Sequence, residues 1–292
     1  MRRNCPPIAA ALALALFAAA ACGSAVVTAP AATTPRPGET AVAAESGATA
    51  PSESGPAGSV ATLQPGALTI ATLGDSLTEG QGDDSGRDGY PGRLKSLIDP
   101  LRPGTRIVNV GHSGWTSTDL INGQNGEPSE LSQAIDARPD VALVWIGSND
   151  LWYLYEGGPE PMETSFEQAD LATYEANIDR ILRELTGHSA VVFIALLDDQ
   201  SKRPVVAHPN PTEPVFSEMT AADLALMSAH VKAYNEAIRR TAARYGATTV
   251  DFFNTTIFTD PATLYGDGNH PNTAGYDRVA QIWFAAVKPL LA

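Results

Sequence analysis

Four short clusters hold the side chains of this sequence that could do chemistry. They are Gly74-Asp75-Ser76-Leu77, Asn109-Val110-Gly111-His112-Ser113-Gly114, Gly147-Ser148-Asn149-Asp150 and Asp267-Gly268-Asn269-His270-Pro271. Taken singly, each reads as a turn, because these residue types suit a sharply bent backbone. Together they offer a nucleophile, a base and donors for a developing negative charge, and turns alone need none of these. Ser76 is the candidate nucleophile, and a serine hydroxyl needs a base within hydrogen-bond reach. His270 is the candidate base. Asp267 stands three residues earlier in a Gly/Asn/Pro turn, close enough to accept the Nδ1 proton and fix the imidazole tautomer. None of the other histidines has a carboxylate in that place. His112 has Asn109 there, while His188, His208 and His230 fall beside a helix end, in a Pro-rich loop and on a helix, so all four read as surface or packing residues. Ser113 reads as a serine in a turn, and Asp75 and Asp150 as supports that order their loops.

These clusters need a scaffold that brings distant segments to one edge. Five apolar, β-branched runs can supply it: Ala67–Leu73, Arg106–Val110, Val141–Ile146, Ala190–Leu196 and Thr248–Phe252. Their near-continuous apolarity predicts parallel strands buried on both faces. Leu171, Tyr174, Ile178, Ile181, Leu182 and Leu185 recur at helical spacing, with Gly187 as the expected C-cap. Leu224, Met227, Val231, Tyr234 and Ile238 repeat the pattern, opened by a Thr220/Asp223 capping box and stopped by Gly246. A last helix is expected over Thr273–Leu290. Alternating strands and helices predict a three-layer α/β/α sandwich around a parallel sheet of about five strands. In such sheets ligands bind outside the carboxyl ends of the strands, where the four clusters fall.

In order and over essentially all of Ala67–Ala292, the clusters resemble the signature blocks of the SGNH hydrolases, also called GDSL esterases and lipases. The resemblance implies a flavodoxin-like sheet ordered 2-1-3-4-5. It also implies a serine ester hydrolase that works through an acyl-enzyme intermediate, without a cofactor or metal. Ser76, Asp267 and His270 would be catalytic. The oxyanion donors would be the backbone N–H groups of Ser76 and Gly114 and the side chain of Asn149. Substrates in the family range from short acyl and acetyl esters of carbohydrate to lipid esters. No Gly-x-Ser-x-Gly elbow is present, which argues against a conventional α/β-hydrolase serine. Two other functions stay open at this point. Asp75, Asn149, Asp267 and His270 could ligate metal in a metallophosphoesterase, although no Asp-x-His pair follows any predicted strand. A non-catalytic, carbohydrate-binding envelope lipoprotein could also retain the fold.

Trp115, Trp152, Tyr153 and Tyr155 follow the second and third clusters, where they can either fill space beneath the loops or line a pocket. The Pro-rich stretch Asp198–Glu218 is expected to loop over or beside the site. Ahead of this domain, Met1–Ala21 reads as an export signal, with Arg2 and Arg3 before an apolar Ile8–Ala21. Of the two cysteines in the sequence, Cys5 would leave with that signal. Cys22 would then be lipidated, as in bacterial lipoproteins, with plain secretion the alternative. The segment 22–66, dominated by Ala, Gly, Ser, Thr and Pro, is expected to be a disordered tether to a membrane outside the cytoplasm. Nineteen basic against 33 acidic side chains give a net charge of −14. That surface repels nucleic acid and anionic lipid, leaving the lipid on Cys22 as the expected membrane contact.

Overall fold

The computed structural model describes residues 63–155, 164–208, 216 and 219–292. The expected signal, Cys22 and most of the expected tether lie outside the described residues, as do 209–215, 217 and 218 of the Pro-rich stretch. Apolar runs bounded by turn residues become the strands β1 (Thr69–Gly74), β2 (Arg106–Asn109), β3 (Val141–Trp145), β4 (Val191–Leu196) and β5 (Thr248–Asp251). Burial of β1, β3 and β4 is almost complete, while β2 and β5 keep exposed residues. That difference follows from position. The sheet is parallel throughout and ordered β2-β1-β3-β4-β5, the 2-1-3-4-5 order that the SGNH resemblance implies, so β2 and β5 are its edges.

The helices are α1 (Ser76–Glu79), α2 (Gly89–Ile98), α3 (Ser117–Asn122), α4 (Glu130–Asp136), α5 (Ser148–Trp152), α6 (Thr164–Gly187), α7 (Pro204–Ala207), α8 (Ala221–Tyr245) and α9 (Thr273–Val287). One face of the sheet carries α2 and α9, packed on each other; the other carries α3, α4, α6 and α8. Trp145, at the end of β3, stacks on Phe252 at 4.1 Å and meets Tyr90 and Trp283 on the first face. On the second face Tyr174 of α6 stacks on Tyr234 of α8 at 4.4 Å. Thr220 and Asp223 form the expected capping box, and Gly246 closes α8 at φ 68°. Gly187 is not the C-cap expected of it. It ends α6 within the helix, and the left-handed residue is Ser189, at φ 69°. The last helix also stops short: Pro289 has no N–H to donate, and Lys288–Leu290 forms a 3₁₀ turn.

Register explains why two of the clusters meet. Gly74 of β1 lies opposite Trp145 of β3. The turns that follow these strands therefore emerge side by side, at the point where the strand order reverses direction.

Candidate active site

The turn after β1 has little freedom. Gly74 has φ +152°, and a Cβ there would lie 2.1 Å from the Trp145 carbonyl oxygen, so only glycine fits. Its N–H donates to Glu130 Oε2 at 2.8 Å. Asp75 caps α1 by accepting the Leu77 N–H on Oδ1 at 3.0 Å, while its buried Oδ2 has no partner among the described residues. Burial pushes the Asp75 carboxyl up to about 6, against the lowering effects of the Leu77 bond and the Arg203 charge. Ser76 follows as the first residue of α1. Its hydroxyl lies 2.9 Å from His270 Nε2.

His270 is delivered by a turn that wraps around its own carboxylate. Asp267 Oδ1 accepts the N–H groups of Asn269 and His270 at 2.8 and 3.0 Å, and Oδ2 accepts the His270 ring Nδ1–H at 2.6 Å. Partial burial opposes the Asp267 charge, but these bonds outweigh it and hold the carboxyl below the usual range. A carboxylate there fixes the proton on Nδ1 and leaves Nε2 free to accept from Ser76.

The second and third clusters are tied to each other. Asn149 Nδ2 donates to the Trp115 carbonyl at 2.8 Å, and Asp150 accepts from the backbone and hydroxyl of Ser117 at 2.8 and 2.5 Å. Asp150 is thus the expected support, with burial pushing its carboxyl up to about 6. Glu79 holds the second loop from the other side by accepting from Ser113. Gly114 sits at φ +80° and, like Ser76, has a backbone N–H with no acceptor among the described residues. Ser76, Gly114, Asn149 and His270 line one cleft of about 220 Å³. Ser148 lines it too, its buried hydroxyl unpartnered among the described residues. A larger cavity of about 650 Å³, between α2 and α9, contains none of the predicted catalytic residues, and its Arg87, Arg93 and Arg278 are paired with Asp277, Asp83 and Asp260. Among the described residues no three His, Cys, Asp or Glu side chains converge as metal ligands, so Asp75, Asn149, Asp267 and His270 do not assemble the site a metallophosphoesterase needs.

The aromatic residues divide. Trp152 and Tyr153 line the cleft, whereas Trp115 is buried against His112 at 4.1 Å and Tyr155 packs on His230. Two residues at the site escaped the sequence reading. Glu130, fully buried in the first turn of α4, holds the Gly74 N–H, and burial pushes its carboxyl up to about 9. Arg203 belongs to the Pro-rich stretch, which does reach the cleft. Its guanidinium is buried, pairs bidentately with Asp198 at 2.8 and 2.5 Å and donates to Asn269 Oδ1 at 2.6 Å. Beside it, Val205 N–H donates to the Gly268 carbonyl at 3.2 Å, so the segment clamps the turn that carries His270. The signal available was a single arginine five residues after an aspartate at the end of a strand, which by itself looks like a surface pair.

Residues 72–278 match the GDSL-like Lipase/Acylhydrolase family. The chain belongs to that family. Among relatives, a multidomain esterase of Ruminococcus flavefaciens is 24% identical over 253 residues, covering 77% of this chain and 29% of the relative. An acetylxylan esterase of Xylanibacter ruminicola is 25% identical over 231 residues, covering 76% of this chain and 43% of the relative. The chain thus spans less than half the length of either. Among solved structures, an α/β hydrolase enzyme from the metagenome of Lake Arreo, Spain, superposes with a TM-score of 0.55 at 22% identity, covering 78% of this chain and 98% of its own. The acetylxylan esterase of Geobacillus stearothermophilus gives 0.53 at 21% identity, covering 76% and 95%. At these identities the likeness shows the fold: a five-stranded parallel sheet of the GDSL type between helices.

Proposed function

We propose that this GDSL-family protein is a serine carboxylic-ester hydrolase that removes short acyl groups from carbohydrate esters. The observation that carries the reading is the unbroken chain from Ser76 Oγ to His270 Nε2 at 2.9 Å and from His270 Nδ1 to Asp267 at 2.6 Å. In the proposed reaction Ser76 Oγ attacks the ester carbonyl carbon as its proton passes to His270 Nε2, and Asp267 stabilises the imidazolium. Negative charge builds on the carbonyl oxygen, where the N–H groups of Ser76 and Gly114 and the Asn149 amide can receive it. Collapse of this intermediate breaks the bond to the alcohol, which takes the proton from His270 and leaves an acyl-Ser76 ester. A water molecule, deprotonated by His270, then releases the acid and restores the serine.

A cleft of about 220 Å³ has room for a short acyl group beside Ser76. Carbohydrate as the alcohol is supported by a relative named as an acetylxylan esterase. The test is a panel of p-nitrophenyl esters of rising chain length run beside an acetylated glycan. Turnover restricted to short chains, with the glycan deacetylated, is expected; preference for long chains would overturn the short-acyl reading. Export and lipid anchoring through Cys22 belong to the same proposal, and rest on the leader sequence. Cys22→Ser should abolish lipid labelling and release active enzyme, whereas wild-type protein in the medium starting at an unmodified Cys22 would mean plain secretion.

A further inference from the structure

The geometry points to Asn269 as a further catalytic residue, whose side-chain amide donates a hydrogen bond to the alcohol oxygen as it leaves; this rests on the ester-hydrolase reading above. Asn269 falls between Asp267 and His270 in the chain and lines the same cleft as Ser76. Both its backbone and its side chain are held. Its N–H donates to Asp267 Oδ1 at 2.8 Å, and its side-chain Oδ1 accepts from Arg203 at 2.6 Å. Arg203 is fixed in turn, being 2% exposed and bound bidentately to Asp198 at 2.8 and 2.5 Å.

The Arg203 bond decides which way the amide points. A guanidinium has no acceptor, so the Asn269 atom that meets it must be the carbonyl oxygen, and the NH2 group takes the other side. On that other side is the atom that moves the proton: Nδ2 lies 3.5 Å from His270 Nε2. Nε2 has one lone pair, and the Ser76 hydroxyl occupies it at 2.9 Å. Asn269 Nδ2 has no other acceptor among the described residues, so the amide reaches the cleft with a donor still to place.

When the acyl-enzyme forms, the bond between the carbonyl carbon and the alcohol oxygen breaks, and its electron pair stays on that oxygen. The proton arrives from Nε2, so the oxygen must come within about 2.9 Å of that atom. A point at that distance from Nε2 can lie equally close to Nδ2, because the two nitrogens are 3.5 Å apart. Asn269 keeps its own hydrogens and donates only a bond to the growing negative charge. It thereby complements Asn149: one amide serves the carbonyl oxygen, and the other serves the alcohol oxygen. The bond counts most where the leaving oxygen is strongly basic, as in an alkyl or sugar ester. It counts least for p-nitrophenolate, which spreads its charge over the ring and needs little help to leave.

The test compares kcat/KM for p-nitrophenyl, phenyl and ethyl acetate in the wild type, Asn269→Ala and Asn269→Asp, each on the pH plateau above its own histidine limb. Asn269→Asp keeps an acceptor for Arg203 but has no donor once ionised. Its Tm should stay near that of the wild type, which separates loss of the donor from loss of the Arg203 contact. In both variants the loss should grow with the basicity of the leaving oxygen. It should run from under about threefold for p-nitrophenyl acetate to roughly 10- to 100-fold for ethyl acetate, as loss of one hydrogen bond to a charged group does. Losses of equal size on all three esters would mean that Asn269 only holds the His270 turn, which overturns the inference and leaves the hydrolase reading standing. Wild-type rates on ethyl acetate in either variant would overturn it as well. A wild type that hydrolyses none of the esters and takes no organophosphate on Ser76 would remove the hydrolase reading, and the role of Asn269 with it.

Discussion

The turn that carries Ser76 and the turn that carries His270 are built on opposite principles. Ser76 leaves the end of a central strand, pinned by strand register and by a glycine that admits no side chain. The carboxylates around it, Asp75 and Glu130, are buried, and desolvation raises both, to about 6 and about 9. His270 instead sits on a loop beyond the sheet, held by the wrap of Asp267 and by the Arg203 clamp. There the carboxylate has enough donors to stay ionised, with its pKa lowered in spite of partial burial. The same functional group thus does opposite work within one cleft. Near Ser76 it is a hydrogen-bonding prop that tends toward neutrality, while beside His270 it is a charge that orients a base. Environments that push carboxyl pKa values apart are how one site assigns separate roles to like groups.

The largest expected effect breaks the nucleophile side outright. Ser76→Ala should lower kcat on a short-chain ester by about 10⁴–10⁶ and abolish labelling by an organophosphate. Stoichiometric labelling of this variant would mean that another residue is the nucleophile. On the other side, Arg203→Ala should remove the clamp and leave Asp198 as a buried, unpaired charge, at a cost of about 3–5 kcal/mol in stability. Urea unfolding followed by circular dichroism measures this, and a change below 1 kcal/mol, roughly the worth of an exposed pair, would show that the clamp carries little.

Asn149→Ala leaves both turns in place and removes one donor to the oxyanion. It should cost on the order of 10²–10³ in kcat with a much smaller change in KM, and organophosphate labelling should persist at a reduced rate. An effect confined to KM would remove Asn149 from the oxyanion site.

The smallest effect sharpens the contrast in carboxyl environments. Glu130 ordinarily titrates near 4.5 and is raised to about 9 in the folded chain. Above the lower value the unfolded chain releases a proton that the folded chain keeps. The stability this group contributes is therefore full below about 4.5, declines as pH rises and is gone near 9. Glu130→Gln retains an acceptor for the Gly74 N–H and cannot ionise. Its Tm should fall less than that of the wild type between about pH 5 and about pH 9. Asp75 and Asp150 act with the same sign over a narrower range and are present in both proteins, so the difference curve isolates Glu130. Parallel curves would show that Glu130 does not titrate in this window.

Much of this was legible in the residues themselves. Five apolar runs and two amphipathic repeats specify strands and helices because burial periodicity is a local property of the chain. The Asp267–His270 pair could be read directly, since three residues in a turn bring both side chains within reach. Ser76 stood out as a nucleophile at the carboxyl end of the first strand, where α/β sheets collect their chemistry, whereas the oxyanion roles of Gly114 and Asn149 came from the resemblance to the SGNH blocks. Gly187 misled because a C-cap depends on backbone conformation, and the left-handed position fell two residues later, on Ser189. Only the tertiary structure revealed the contacts that span long stretches of chain. Glu130 reaches Gly74 across 56 residues and Arg203 reaches Asn269 across 66, with no spacing rule to connect them. Which buried polar groups go unpartnered, such as Asp75 Oδ2 and the Ser148 hydroxyl among the described residues, is likewise decided by what else folding brings near them.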